Sequence, residues 1–255
     1  MKLLILAGGL GTRLREETEY KPKPMVEVGG HPIIWHLMKI YGCQGIEDFV
    51  IALGYKGEVI KSYFRDFELR ENDVQFDLEA KSATVLNLSQ AEKWKVTLAE
   101  TGPYTMTGGR ILKSRTYLDG QTFMCAYGDG LADIDIQALL AFHKSHGKIA
   151  TVTAATPTSR FGMLEIASNG LVESFAEKPI QKNWVNAGFF VFEPEIFDFL
   201  TEDTVLEREP LENLVKAGQL MAYRHEGYWQ PMDTLREAEI LNEAWRENAP
   251  WKVWK

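Results

Sequence analysis

Apolar residues follow two rhythms through the first half of this chain. Short continuous runs, KLLILA at 2–7, DFVIAL at 48–53, TFMCAY at 122–127 and IATVTAA at 149–155, have the length of strands covered on both faces. Between them the spacing turns helical. PIIWHLMKIYG (32–42) sets Ile33, Ile34, Leu37, Met38 and Tyr41 on one side behind a first-turn proline. EVIKSYFRDF (58–67) and IDIQALLAFHKSH (134–146) read the same way, and Asp133 is in place to cap the second. Strand and helix in alternation predict an α/β, Rossmann-like, doubly wound sheet, mixed but mostly parallel, with helices on both faces.

The rhythm breaks twice. Residues 67–112 are polar and irregular, WKVTLAETG (94–102) being their one convincing strand, and predict an inserted lobe. GMLEIASNGLVESFAEKP (162–179) predicts a hairpin turning at Asn169-Gly170. NAGFFVF (186–192) is strand-like again, and from about residue 234 a helix leads into a Trp-rich tail. Without a repeat, a low-complexity linker or a break in composition, residues 1–255 read as one domain with insertions.

Composition changes this picture little and narrows the function more. The chain is 45% hydrophobic and 25% charged, ordinary for a globular protein. No apolar stretch approaches the roughly 20 residues of a membrane span. The N-terminal apolar run is about six residues long and ends in Gly-Gly, so it reads as a buried first strand, not a signal peptide. Cys43 and Cys125, far apart and each among apolar residues, fit reduced core thiols and a cytoplasmic protein, not a disulfide or zinc framework. A net charge of −8 argues against nucleic-acid binding. A polyanionic ligand would need local cations and a metal to offset that field.

Candidate chemistry begins at LAGGLGTRL (6–14), a glycine-rich turn after the first strand. It lacks the terminal Lys-Ser/Thr of a P-loop, and Leu14 stands where the dinucleotide fingerprint requires its third glycine. Backbone N–H groups in such a turn bind phosphate oxygens, and Arg13 adds a forked, permanently charged contact. KPKPM follows at 21–25, each lysine held extended by the proline after it. Further on, YGDG puts Asp129 at the end of a buried strand, as a turn aspartate or as a metal ligand at the sheet's carboxyl edge. Asp233, in GYWQPMDTLRE, precedes a helix and fits an N-cap, with Thr234 beginning the helix. His143 and His146, three apart in FHKSH, fit the polar face of a helix better than a metal site.

LAGGLGTRL followed by KPKPM resembles the two-part signature of the sugar-phosphate nucleotidyltransferases, which join a nucleoside triphosphate to a sugar 1-phosphate and release pyrophosphate. The resemblance implies that Leu6, Ala7, Gly8, Gly9, Gly11, Thr12, Arg13, Lys23 and Gly128 hold the nucleotide, leaving Lys21 as a solvated neighbour. Lys23, Arg13 and Asp129 become the catalytic set, with Asp129 and Asp233 on Mg2+. The E-K-P stretch implies Glu177 and Lys178 at the sugar phosphate, joined by Asn186 and Gly188 of NAGFFVF. One position departs from the family pattern: His31-Pro32 stands where members often carry Lys-Pro. The base-selecting loop of thymidylyl and uridylyl members is also missing. VTLAETGPYTMTGGR (96–110) replaces it and resembles members that use CTP and α-D-glucose 1-phosphate, with Thr107, Gly108 and Gly109 toward the cytosine and Arg110 near base or phosphates; a Gly-rich hairpin loop with a surface arginine is the plainer alternative. The resemblance further implies a homo-oligomer, a hexamer among the options, and a place in deoxysugar synthesis for cell-surface polysaccharide. The same reaction with UTP or dTTP, and a noncatalytic nucleotide-sugar sensor, are the rival readings.

Overall fold

The computed structural model describes residues 1–86, 92–159 and 161–254, and only the backbone of residue 16. Seven strands form the central sheet: β1 (Lys2–Leu6), β2 (Asp48–Leu53), β3 (Lys95–Glu100), β4 (Phe123–Tyr127), β5 (Ala150–Ala155), β6 (Val185–Phe192) and β7 (Leu220–His225). Their order is β3-β2-β1-β4-β6-β5-β7. Only β6 runs against the rest, antiparallel to both β4 and β5. The sheet is therefore mixed and mostly parallel, as the alternation predicts.

Each buried strand feeds two cores. Along β1, Leu3 and Ile5 enter one hydrophobic cluster while Leu4 and Leu6 enter the other. Side chains alternate across a pleat, so an unbroken apolar run requires cover on both faces. Helices α1 (Ile33–Gly42), α2 (Gly57–Arg65), α4 (Ile136–His146) and α6 (Leu235–Glu247) pack on the first face. Helices α3 (Thr107–Lys113) and α5 (Glu209–Lys216) pack on the second. The order in which strands are added reverses between β1 and β4, two parallel neighbours, with β2 and β3 on one side and β4 onward on the other. That switch point opens a crevice at the carboxyl ends of β1 and β4, where open α/β sheets bind ligands.

Several local expectations shift. The lobe expected over 67–112 divides: its convincing strand is β3, a sheet edge parallel to β2, and its C-terminal part is α3, whose Ile111 is fully buried. The hairpin of Asp73–Asp77 and Ser82–Leu86 stands apart from the sheet, and residues 87–91 lie outside the described ones. The second hairpin forms as expected, pairing Met163–Ile166 with Val172–Ala176. Asp135, not Asp133, caps α4 by accepting from the Ala138 amide at 2.8 Å; Asp133 faces His225 instead, 3.1 Å away. Cys125 is a core thiol, whereas Cys43 is exposed. His143 is buried, not on a solvated face, and lies 2.8 Å from the Thr151 hydroxyl and 3.1 Å from Glu193. His31 stacks on Trp35 with ring centroids 4.0 Å apart. No described helix is long and apolar enough to cross a membrane.

Candidate active site

The glycine loop leaves β1 at the switch point and is held from below. The Gly8 carbonyl accepts from the Tyr55 amide at 3.2 Å and from Arg110 Nη2 at 2.8 Å. A Cβ on Gly8 would run into the Arg110 guanidinium, so the close approach depends on glycine. Gly11 has φ +63°, a left-handed conformation that a side chain disfavours, and it opens the single turn Thr12–Leu14. Among the described residues, no acceptor takes the amides of Gly8, Gly9 or Leu10. Unpartnered amides clustered in a glycine turn are donors for an anion.

Lys23 reaches the same place from the start of a short 3-10 turn, Lys23–Met25, that follows Pro22, and is not in the extended backbone that Lys-Pro predicts. The two carboxylates arrive by a different route. Gly130–Ala132 pairs antiparallel with Trp229–Pro231, and the Met232 amide donates to the Asp129 carbonyl at 2.8 Å. This ribbon brings Asp129 and Asp233 together from distant parts of the chain. Trp229 ties the ribbon to β6 by donating to the Ala187 carbonyl at 3.0 Å. The cap of α6 is Thr234, not Asp233, and it forms a full capping box with Glu237. The Asp233 carboxylate is left to point elsewhere, while its amide donates to Glu237 at 2.7 Å.

These segments meet in one charge cluster. Lys23 Nζ donates to Asp129 Oδ2 and to Asp233 Oδ1, both at 2.6 Å, and Arg13 Nη1 donates to Asp233 Oδ2 at 2.7 Å. Burial opposes the charge on Lys23, but the two carboxylates outweigh it and hold its pKa above the usual value. Hard oxygen ligands from two residues converging on one cation are a donor set suited to Mg2+, which takes one or two carboxylates and completes its shell with phosphate and water. The carboxylates of Asp129 and Asp233 would hold it.

The cluster lies in a cleft of about 560 Å³ lined by all of residues 6–13 together with Lys23, Gly128, Asp129 and Asp233. A glycine loop of free amides, two cations and two carboxylates thus share one cleft, the groups that a polyphosphate and a divalent ion would call on. The chain matches the family model described as Nucleotidyl transferase over residues 2–235. It belongs to the nucleotidyl transferase family. Among its relatives, the glucose-1-phosphate cytidylyltransferase of Salmonella typhimurium (strain LT2) is 51% identical, with 100% of each chain covered. Mannose-1-phosphate guanylyltransferase 1 of Arabidopsis thaliana is 31% identical, over 99% of this chain and 68% of that one. Among solved structures, HddC from Yersinia pseudotuberculosis shares the fold with a TM-score of 0.69 at 23% identity, covering 96% of this chain and 99% of that one.

One end of the cleft gathers the residues that the sequence nominated for the phosphates and the metal. The far end is built differently from the expectation. Thr107 and Arg110 line the cleft, yet Arg110 is buried and donates to the carbonyls of Leu53, Gly102 and Gly8 and to the Thr101 hydroxyl, at 2.6–2.8 Å. It staples the loop from beneath. Gly108 and Gly109 do not form a hairpin loop; they begin α3, and both amides donate to the Thr204 carbonyl.

Glu177 and Lys178 follow the second hairpin, exposed, 3.5 Å from each other and outside the cleft lining. Asn186 and Gly188 also lie outside the lining; Asn186 donates to the Tyr127 hydroxyl at 3.2 Å, and Gly188 packs on the Tyr127 ring. Tyr127 does line the cleft and donates to Glu207, which also accepts from Thr107 at 2.7 Å. Burial, then the Glu207 charge, push the Tyr127 pKa well up, so its hydroxyl stays a donor. The sequence reading missed Glu207 and the exposed apolar pair Tyr104 and Met106 on the cleft wall. The only sequence signal for that pair was an aromatic and a methionine between a strand and a glycine-started helix.

Proposed function

We propose that this nucleotidyl transferase joins CTP to α-D-glucose 1-phosphate, releasing pyrophosphate and CDP-glucose. The convergence of Lys23, Arg13, Asp129 and Asp233 beside the glycine loop carries the chemistry. The cytidine and glucose assignments lean on the full-length likeness to the Salmonella enzyme. A phosphate monoester, with a second pKa of about 6, is already an anion near neutral pH. Its oxygen attacks the α-phosphorus in line, a new P–O bond forms, and the bond to the β-phosphate bridging oxygen breaks as pyrophosphate departs. No general base is required, so catalysis is positioning and charge neutralisation. Mg2+, when bound, neutralises charge on the phosphates.

The chain's own groups divide the work. The Gly8–Leu10 amides receive phosphate oxygens, and Lys23 and Arg13 turn from the carboxylates to the phosphates. Tyr104 and Met106 offer an apolar wall on which a base can stack. Lys178, Glu177 and Asn186 serve the sugar phosphate, which requires the second hairpin to come to the cleft mouth. That hairpin exposes Met163, Ile166, Val172 and Phe175, each at least half accessible. Apolar area of that kind supports a homo-oligomer in which a second copy covers it. Light scattering should give a multiple of the 29.0 kDa chain mass, and a monomer at micromolar concentration would rule this out.

The reaction is tested by pyrophosphate release with glucose 1-phosphate and Mg2+, comparing CTP, UTP, dTTP and ATP. A strong CTP preference is expected, and Asp129→Asn should lower turnover by about 100-fold or more. Lys178→Ala should raise KM for the sugar phosphate alone. Preference for another nucleotide would replace the base and keep the chemistry.

A further inference from the structure

The Lys23 ammonium bridges Asp129 and Asp233, 2.6 Å from an oxygen of each. Arg13 takes the second oxygen of Asp233 at 2.7 Å. Two carboxylates and two cations make a set with no net charge. A divalent ion held by both carboxylates needs the same point, since its oxygen ligands lie about 2.0–2.1 Å away. An ammonium and a dication at that spacing repel strongly, and the Lys23 side chain is only 11% exposed, so solvent screens them little. Lys23 therefore has to leave before both carboxylates can take the metal. Its charge needs somewhere to go, and the unpartnered amides of Gly8, Gly9 and Leu10 mark where a polyphosphate would lie.

We propose that Lys23 competes with the divalent ion for the Asp129–Asp233 pair, so that the nucleotide-free protein holds the metal weakly and the carboxylates are released to it only when a polyphosphate draws Lys23 and Arg13 away. The inference rests on Asp129 and Asp233 being the metal carboxylates. It predicts a coupling in which nucleotide and metal each favour the other's binding, set by one side chain.

The test is Mn2+ binding to the nucleotide-free, full-length protein, read as loss of the free-ion electron paramagnetic resonance signal. Lys23→Met and Lys23→Gln remove the charge, Lys23→Arg retains a cation, and each is paired with Asp129→Asn. Both neutral variants should bind Mn2+ at least about tenfold more tightly than wild type, as expected when a neighbouring like charge is removed. Lys23→Arg should stay weak, and Asp129→Asn should cancel the gain. Equal binding by wild type and the neutral variants, with Asp129→Asn still weakening it, overturns the competition and leaves the metal carboxylates in place. Binding that Asp129→Asn leaves unchanged in every background overturns the metal carboxylates and the competition together.

Discussion

Arg110 commits its guanidinium to backbone carbonyls and one hydroxyl, in a geometry that a planar fork satisfies and an ammonium does not. Under the proposed function its effect on nucleotide binding would run through the Gly8 carbonyl, which makes it a positioning residue. Arg110→Lys should lower kcat/KM for CTP and for UTP by the same factor and lower the melting temperature. A changed ratio between the two nucleotides would instead put the guanidinium on the base. The candidate residues of the glycine loop, Lys23, Asp129 and Asp233 were legible in advance because each sits in a short motif of its own. Arg110 and Glu207 were not, because their roles depend on which carbonyls and hydroxyls the fold brings to them.

Among the elements, the start of α6 matters most to the site. Thr234 and Glu237 close a capping box one residue after Asp233. Because Thr234 satisfies the helix end, Asp233 is free to face Lys23 and Arg13. Thr234→Ala should cost about 1 kcal/mol of stability, measured by denaturant unfolding. It should also weaken Mn2+ binding in the Lys23→Gln background, since Asp233 is the next residue. An unchanged unfolding midpoint would mean that the ribbon, not the cap, holds this corner. The ribbon of Gly130–Ala132 with Trp229–Pro231 is two three-residue strands, too short to stand out from sequence. It nevertheless brings the two carboxylates together.

Across the whole molecule, the C-terminal tail folds back onto α1. Trp245, Trp251 and Trp254 join Trp35 around the buried His36. Trp251 Nε1 donates to His36 Nδ1 at 3.3 Å, so Nε2 carries the proton and donates to the Val28 carbonyl at 2.7 Å. Burial pulls the His36 pKa down to about 4 from its usual 6.5. The unfolded chain therefore binds a proton between pH 6.5 and 4 that the folded chain refuses, and stability falls as pH drops through that window. His36→Gln should flatten the melting-temperature slope between pH 6.5 and 4 relative to wild type. Equal slopes would show that this imidazole titrates normally.

What the sequence determined by itself was periodic or local. Unbroken apolar runs at strand length require cover on both faces, and the alternation with helices yields the doubly wound sheet. A glycine turn followed by a lysine set before a proline nominates a candidate phosphate site before any contact is known. Tertiary structure decided everything that joins distant segments. It assigned WKVTLAETG to the sheet edge through pairing with β2, brought Asp233 to Asp129 through the ribbon, and buried Arg110 beneath the loop. It also set Glu177 and Lys178 outside the cleft lining. A residue's type and its neighbours in sequence limit the bonds it can make; only packing between distant elements chooses the partner.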